Sequence, residues 1–354
     1  MTQTSQAHEI ESLFNKQLQK DKNLINAYLL VHSEKTGLHL NLVGGKGENG
    51  TPSPKQPVYM ASVGKLFTSA IIAILHEQGE LSFDDSISRF FDPGFIDGLH
   101  LFKGKDYSGE IEVRHLLNQT SGLPDNFYPL FDKLLADPNF DITPREAVLW
   151  AKENLKPQAV PGKKSYYTDT NYHLLGLIVE EVCGEPFHAV LKRLIFDPLQ
   201  MKHSYMLQHS EPEENPGAPE AGFYYKKTRL NEIKGFAGLD FSGGGVVGPM
   251  EDMLLFMKAL TGNKLISKET LGRMLDDKAK LYPGWDYGYA VWQVRPVPVL
   301  LPAKYRSWGV LGATGAYMFY HPKLEAYFIG SFNDASWQRK CVRFMFKVMH
   351  RLMK

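Results

Sequence analysis

Strand patterns lie at the two ends of this chain and helical patterns fill its middle, so strands that must share a sheet have to meet across the helices between them. That arrangement predicts an α+β architecture, an antiparallel sheet flanked by helices with a mainly helical insert. Near the start, Asn26 to His32 and Leu38 to Val43 read as short strands joined by the S-E-K-T-G turn, a β-hairpin. Near the end, Tyr287 to Val294, Ala316 to Tyr320 and Ala326 to Phe332 read as strands, and Gln338 to Leu352 as a terminal helix. The implied division puts residues 1–80 with 285–354 in the sheet part and 81–284 in the helical insert, the two making a single unit.

The clearest helix carries Leu66, Phe67, Ala70, Ile71, Ile74 and Leu75 at three- and four-residue spacing. It is expected to begin near Ala61 or Ser62 and to stop at Gly79. Val113 to Leu117, Pro144 to Asn154 and Asn171 to Val182 are further helical patterns. Gly243 to Gly245 read as a sheet-to-helix turn before a helix over Pro249 to Leu260. There Pro249 suits the first helical position, and Glu251 and Asp252 suit the positive end of the dipole. Gly44 to Pro57 and Glu211 to Glu220 read as loops.

Composition bounds the function. With 354 residues, 43% hydrophobic and 22% charged, the chain can bury a large core and is not a disordered polymer. A net charge of +1 gives no electrostatic reason to expect nucleic acid or an anionic membrane as partner. The two cysteines, Cys183 and Cys341, do not make a disulfide framework, although a single bridge between them stays open. Met1 to Asn15 has no apolar leader core, and Leu66 to Leu75 falls short of the roughly 20 apolar residues of a membrane span. The expectation is a cytoplasmic protein without a membrane span, a leader removed ahead of Met1 being the competing reading. No metal-ligand spacing appears among the histidines, so neither metal nor cofactor is expected, and His115 reads as structural.

Three segments have residue types suited to chemistry. Ser62-Val63-Gly64-Lys65 is the only Ser-x-x-Lys, which by itself is a weak signal because roughly one chance match is expected at this length. On a helix, however, the pair shares a face. A serine hydroxyl needs something to take its proton, and a desolvated Lys65 with a lowered pKa would serve. At the helix start, Ser62 would also aim its backbone N–H at a developing oxyanion. Read plainly, the pair is an N-cap and a solvated lysine. Tyr167 precedes a helix; beside a cationic lysine its phenol pKa would fall and make a general base, and otherwise it is a packed aromatic. Gly309 to Gly315 permits close backbone approach to a ligand, or is a tight turn. Trp285, Tyr287, Tyr289 and Trp292 alternate at strand period and are expected in the core and on one rim of a pocket.

Together these segments resemble the serine β-lactamase and penicillin-binding-protein-like hydrolases, particularly the class C β-lactamase, D-Ala-D-Ala carboxypeptidase and esterase branch. The resemblance runs in order through Tyr59-Met60-Ala61-Ser62-Val63-Gly64-Lys65, Gly79 to Asp85, Arg114 to Pro124, Tyr167 to Gly176, Gly243 to Val247 with Glu251 to Met253 and Phe256, and Gly312-Ala313-Thr314-Gly315. It implies a β-lactamase/transpeptidase-like fold. It implies Ser62 as acylated nucleophile, Lys65 as its partner and Tyr167 as base. The N–H groups of Ser62 and Ala313 would form the oxyanion hole, and Asp169, Val310, Leu311 and Gly312 would meet substrate. Asp169 departs from the usual Asn, and an acid there would hold Lys65 protonated. Val310 and Leu311 replace the usual cation and hydroxyl, leaving an apolar slot that disfavours carboxylated substrates; the lost charge-assisted hydrogen bond is worth about 1.5–3 kcal/mol.

The expected activity is therefore a metal-free serine hydrolase acting through an acyl-enzyme on a small ester, amide or peptide. Two alternatives remain: a β-lactamase or D-Ala-D-Ala carboxypeptidase, and a catalytically silent binding protein of the same fold.

Overall fold

A computed structural model describes residues 3–48, 52–137, 139–297 and 301–353; residues 49–51 of the Gly44 to Pro57 loop lie outside the described residues. The main sheet has eight antiparallel strands. From one edge they are Ala279–Tyr282, Trp285–Tyr287, Trp292–Val294, Trp308–Leu311, Tyr317–His321, Ala326–Ser331, Ala27–Ser33 and Leu38–Gly44. The two chain ends meet where Tyr28 pairs with Ser331 and Ser33 with Ala326. Side-chain alternation along these strands feeds two cores. Tyr28, Leu30, Val310, Met318 and Ile329 face the helical region, whereas Leu29, Val31, Phe319 and Phe328 face the terminal helices.

The Gly64–Glu77 helix lies inside the first core, apolar on nearly every side as a central helix must be. Phe67 stacks on Phe256 at 3.8 Å, and the same cluster takes in Leu174 and Ile178 from the Thr170–Cys183 helix. One continuous core thus joins the sheet to the helical region.

Four sequence expectations change. Tyr287 to Val294 is not one strand; the chain turns over 288–291, with Ala290 at φ +61°, and Tyr289 leaves the sheet to pack on Phe83. The sheet already begins at Ala279, ahead of the boundary at 285. Gly243 and Gly244 end a Phe236–Gly244 helix instead of linking sheet to helix. The chain then enters a short strand, Val246–Gly248, which pairs with Val58–Tyr59 just before Ser62. Pro249 caps the following Met250–Thr261 helix from outside it. A helix over Gln3–Lys20, unforeseen in a polar segment, buries Ile10 and Phe14, the latter 6.3 Å from Phe344 of the terminal helix Lys340–Leu352.

Both cysteines are free thiols. Among the described residues no helix is long and apolar enough to cross a membrane. Because Phe67 fills the centre of the shared core, Phe67→Ala is expected to cost about 3–5 kcal/mol in urea unfolding; a loss below about 1 kcal/mol would show that this packing is not central.

Candidate active site

Ser62 stands in one 3-10 turn, Ala61–Val63, and the α-helix proper starts two residues later at Gly64. Ala61 holds a left-handed φ of +49°, a strained position for a residue with a Cβ. The bend brings the serine segment against the end of the Trp308–Leu311 strand. Gly312 makes that approach possible, since a Cβ there would lie 2.8 Å from the Met60 carbonyl oxygen and 3.0 Å from the Ala61 Cβ.

Lys65 is fully buried, and its ammonium donates in three directions. It donates to Ser62 Oγ at 3.2 Å, to the Gly243 carbonyl at 2.7 Å, and to Asp169 Oδ1 in a close ion pair. Gly243 also clears the space, since a Cβ there would come within 3.0 Å of Asp169 Oδ1. Burial alone would lower the lysine pKa, but the Asp169 charge and hydrogen bond outweigh it and raise it well above the usual lysine value. The lowered pKa expected from desolvation is therefore reversed, in line with the reading that an acid at position 169 holds Lys65 protonated.

Tyr167 follows the same logic. It is packed 5.8 Å from both Tyr287 and Trp292, with Lys65 Nζ 5.4 Å from its ring centre. Burial raises its phenol pKa, and Asp169 adds to this. The Lys65 charge and a hydrogen bond with Ser62 pull downward without prevailing. The expectation of a lowered phenol pKa is reversed as well.

The Arg114 to Pro124 segment holds this corner in place. Buried Gln119 accepts from the Thr168 and Asn171 nitrogens at 2.9 and 2.7 Å and donates to the Thr168 carbonyl at 3.1 Å. Ser121 donates to Asn171 Oδ1, and Thr170 donates to the Pro124 carbonyl. His115 is structural: its Nδ1 accepts from the Glu112 N–H at 3.1 Å to close a helix start.

Ser62, Tyr167, Asp169, Leu311, Gly312 and Ala313 all line one cavity of about 740 Å³. Val310 does not. Strand alternation turns its side chain, fully buried, into the core beside Met318, so its part in a substrate slot is corrected. Trp285 and Trp292 reach the cavity, whereas Tyr287 and Tyr289 stay in the interior. Four charged lining residues were not singled out from the sequence: Asp125, Asp240, Arg339 and Arg343. The two arginines sit one turn apart at the start of the terminal helix, so the cavity has cations despite the apolar Val310 and Leu311. Asp240 accepts from the Tyr59 hydroxyl at 2.7 Å, and burial pushes its pKa up to about 7. Burial and the neighbouring Asp169 charge push Asp125 up to about 6.

The Beta-lactamase family profile matches residues 17–347. The chain belongs to the β-lactamase family. Within it, the chain is 30% identical over 222 residues to a penicillin-binding protein of Bacillus subtilis strain 168, covering 59% of this chain and 46% of that one. It is 25% identical over 328 residues to the esterase EstB of Burkholderia gladioli, covering 80% and 79% of the two chains. This chain spans about half the length of the first two Bacillus relatives, 46% and 51% of them. The D-amino acid amidase of Ochrobactrum anthropi SV3 shares the β-lactamase-like fold, with a TM-score of 0.80 at 18% identity over 98% of this chain and 99% of that one.

The Lys65–Asp169 pair yields a direct test. Asp169→Ala strands a buried ammonium and is expected to cost about 3–5 kcal/mol of stability by chemical denaturation. Asp169→Asn keeps an acceptor but removes the charge, so burial is left to lower the Lys65 pKa; direct NMR titration of the lysine should show the fall.

Proposed function

We propose that the protein is a serine hydrolase that takes the acyl group of a small ester, amide or peptide onto Ser62. The observation that carries this reading is the hydrogen bond at 3.2 Å between Lys65 and Ser62 Oγ on the wall of an open cavity. Ser62 Oγ attacks the carbonyl carbon, and its proton passes to the Tyr167 oxygen in its phenolate form. The N–H groups of Ser62 and Ala313 receive the oxyanion, where preorganised donors act on developing charge. Collapse expels the leaving group, which takes the proton back, and water then releases the acyl group by the reverse path. Lys65 keeps its proton throughout. Its fixed charge lowers the cost of forming phenolate and orients Ser62.

A catalytically silent binding protein is the second reading. It is favoured by the resting charges, since the Lys65 ammonium has no lone pair to accept a proton and Tyr167 is a neutral phenol near pH 7. The β-lactamase or carboxypeptidase reading draws on Arg339 and Arg343, which offer cations to a substrate carboxylate.

A fluorophosphonate is expected to add one label, at Ser62, and Ser62→Ala to abolish it while the protein stays folded. Labelling at another serine would discard the nucleophile, and labelling without turnover of p-nitrophenyl butyrate or a penicillin would favour the silent reading.

Tyr167→Phe should lower kcat by about 10²–10⁴. A base whose pKa is raised is mostly protonated at neutral pH, so kcat/KM should climb by about tenfold per unit from roughly pH 7 into the alkaline range. A flat profile with near wild-type turnover in Tyr167→Phe would reject this base.

A further inference from the structure

We propose that Asp125 anchors a substrate ammonium group beside the scissile carbonyl, so that the preferred substrates are esters or amides of amino acids with a free α-amino group. The inference rests on the hydrolase reading and deepens it by naming the acyl part.

Three carboxylates line the cavity, and two are already committed. Asp169 is neutralised by Lys65, and Asp240 is held by the Tyr59 hydroxyl deep in the wall. Asp125 differs. Its Oδ1 accepts from the Asp169 N–H at 2.9 Å and the Phe127 N–H at 3.4 Å, which fixes the carboxyl group in place. Its Oδ2 has no protein donor, and no Lys, Arg or His pairs with it among the described residues. A part-buried carboxylate held in place on a cavity wall is costly to desolvate unless a cation meets it.

The surroundings fit an ammonium on a small apolar body. Phe127 and Tyr128, two and three residues after Asp125, line the same cavity, Tyr128 being 57% exposed. Their rings offer apolar contact and π faces to a cation. The available cations of the wall, Arg339 and Arg343, belong to the terminal helix and form no ion pair with Asp125. Asp125 shares the cavity wall with Ser62 and is linked to it through Asp169 and Lys65. A substrate with its carbonyl at Ser62 and an α-ammonium next to that carbonyl is the arrangement proposed for this wall.

The same geometry sets a pH dependence. Burial and the Asp169 charge raise the Asp125 pKa, the Asp169 and Phe127 N–H groups and the Lys65 charge lower it, and the balance stands at about 6. A carboxyl that protonates as pH falls through about 6 loses its hold on an ammonium. KM for an amine-bearing substrate should therefore rise below that pH, and KM for an N-acylated one should not.

The test compares the p-nitroanilides of D- and L-phenylalanine, each with a free and an N-acetylated amine, on the full chain and on Asp125→Asn from about pH 5 to about pH 8. For at least one enantiomer, the wild-type protein should favour the free amine by about 10–100-fold in kcat/KM, the worth of one charge-assisted hydrogen bond. That ratio should shrink below about pH 6. Asp125→Asn keeps the acceptor for the Asp169 N–H, and it should bring the ratio close to one, mainly through KM. A wild-type ratio at or below one overturns the proposal, and so does an equal loss for both substrates in Asp125→Asn, which would mark Asp125 as a support for Asp169 alone. If Asp125→Asn fails to fold, the wild-type ratio and its pH dependence decide. Fluorophosphonate labelling of Ser62 and hydrolysis of p-nitrophenyl butyrate are run alongside. Their failure sinks the hydrolase reading itself, whereas their success with no amine preference sinks this inference only.

Discussion

A buried ammonium ion organises this protein. Lys65 sits without solvent inside the first core, and burying a charge is tolerable only when paired and fully hydrogen-bonded. Three chain segments supply the acceptors: the serine turn, the start of the Thr170–Cys183 helix, and the glycine-rich end of the Phe236–Gly244 helix. They are far apart in sequence, so the fold must bring them together before the lysine can be buried. The site and the stability of the central region therefore depend on the same contact.

That contact also decides the electrostatics. In an apolar pocket a lysine would shed its proton and act as a base. Asp169 reverses the balance and keeps the charge on Lys65, so the proposed mechanism gives proton transfer to Tyr167. Tyr167 is in turn held by burial and aromatic packing in a neutral resting state. In the proposed mechanism this separates a fixed positive charge on Lys65 from the proton that moves.

The cavity wall combines opposite charges from different parts of the fold. Asp125 and Asp169 come from the helical region next to Ser62, and Arg339 and Arg343 come from the terminal helix packed on the other face of the sheet. Charged groups that remain unpaired in such a wall favour ligands that complete them. Leu311, the tryptophans and Phe127 supply apolar surface between them.

Local pattern was enough for the sequence to determine the α+β class, the terminal hairpin, the long central helix and the Ser62–Lys65 pair, because each depends on spacing along a few residues. Ser-x-x-Lys on a helix, Tyr167 before a helix and the Gly312 turn could all be read that way. The tertiary structure decided the rest. The sign of the Lys65 shift turned on Asp169, more than a hundred residues away in the chain, and that of Tyr167 on its burial. Val310 left the site because strand alternation and the packing of the sheet chose its face. The Gln3–Lys20 helix was hidden because its apolar stripe is thin and gains its stability from the terminal helix. Asp125, Arg339 and Arg343 carry no motif of their own; their meaning comes from the cavity they share. Spacing fixes what a segment can be, whereas a charge's energy depends on every group the fold places around it.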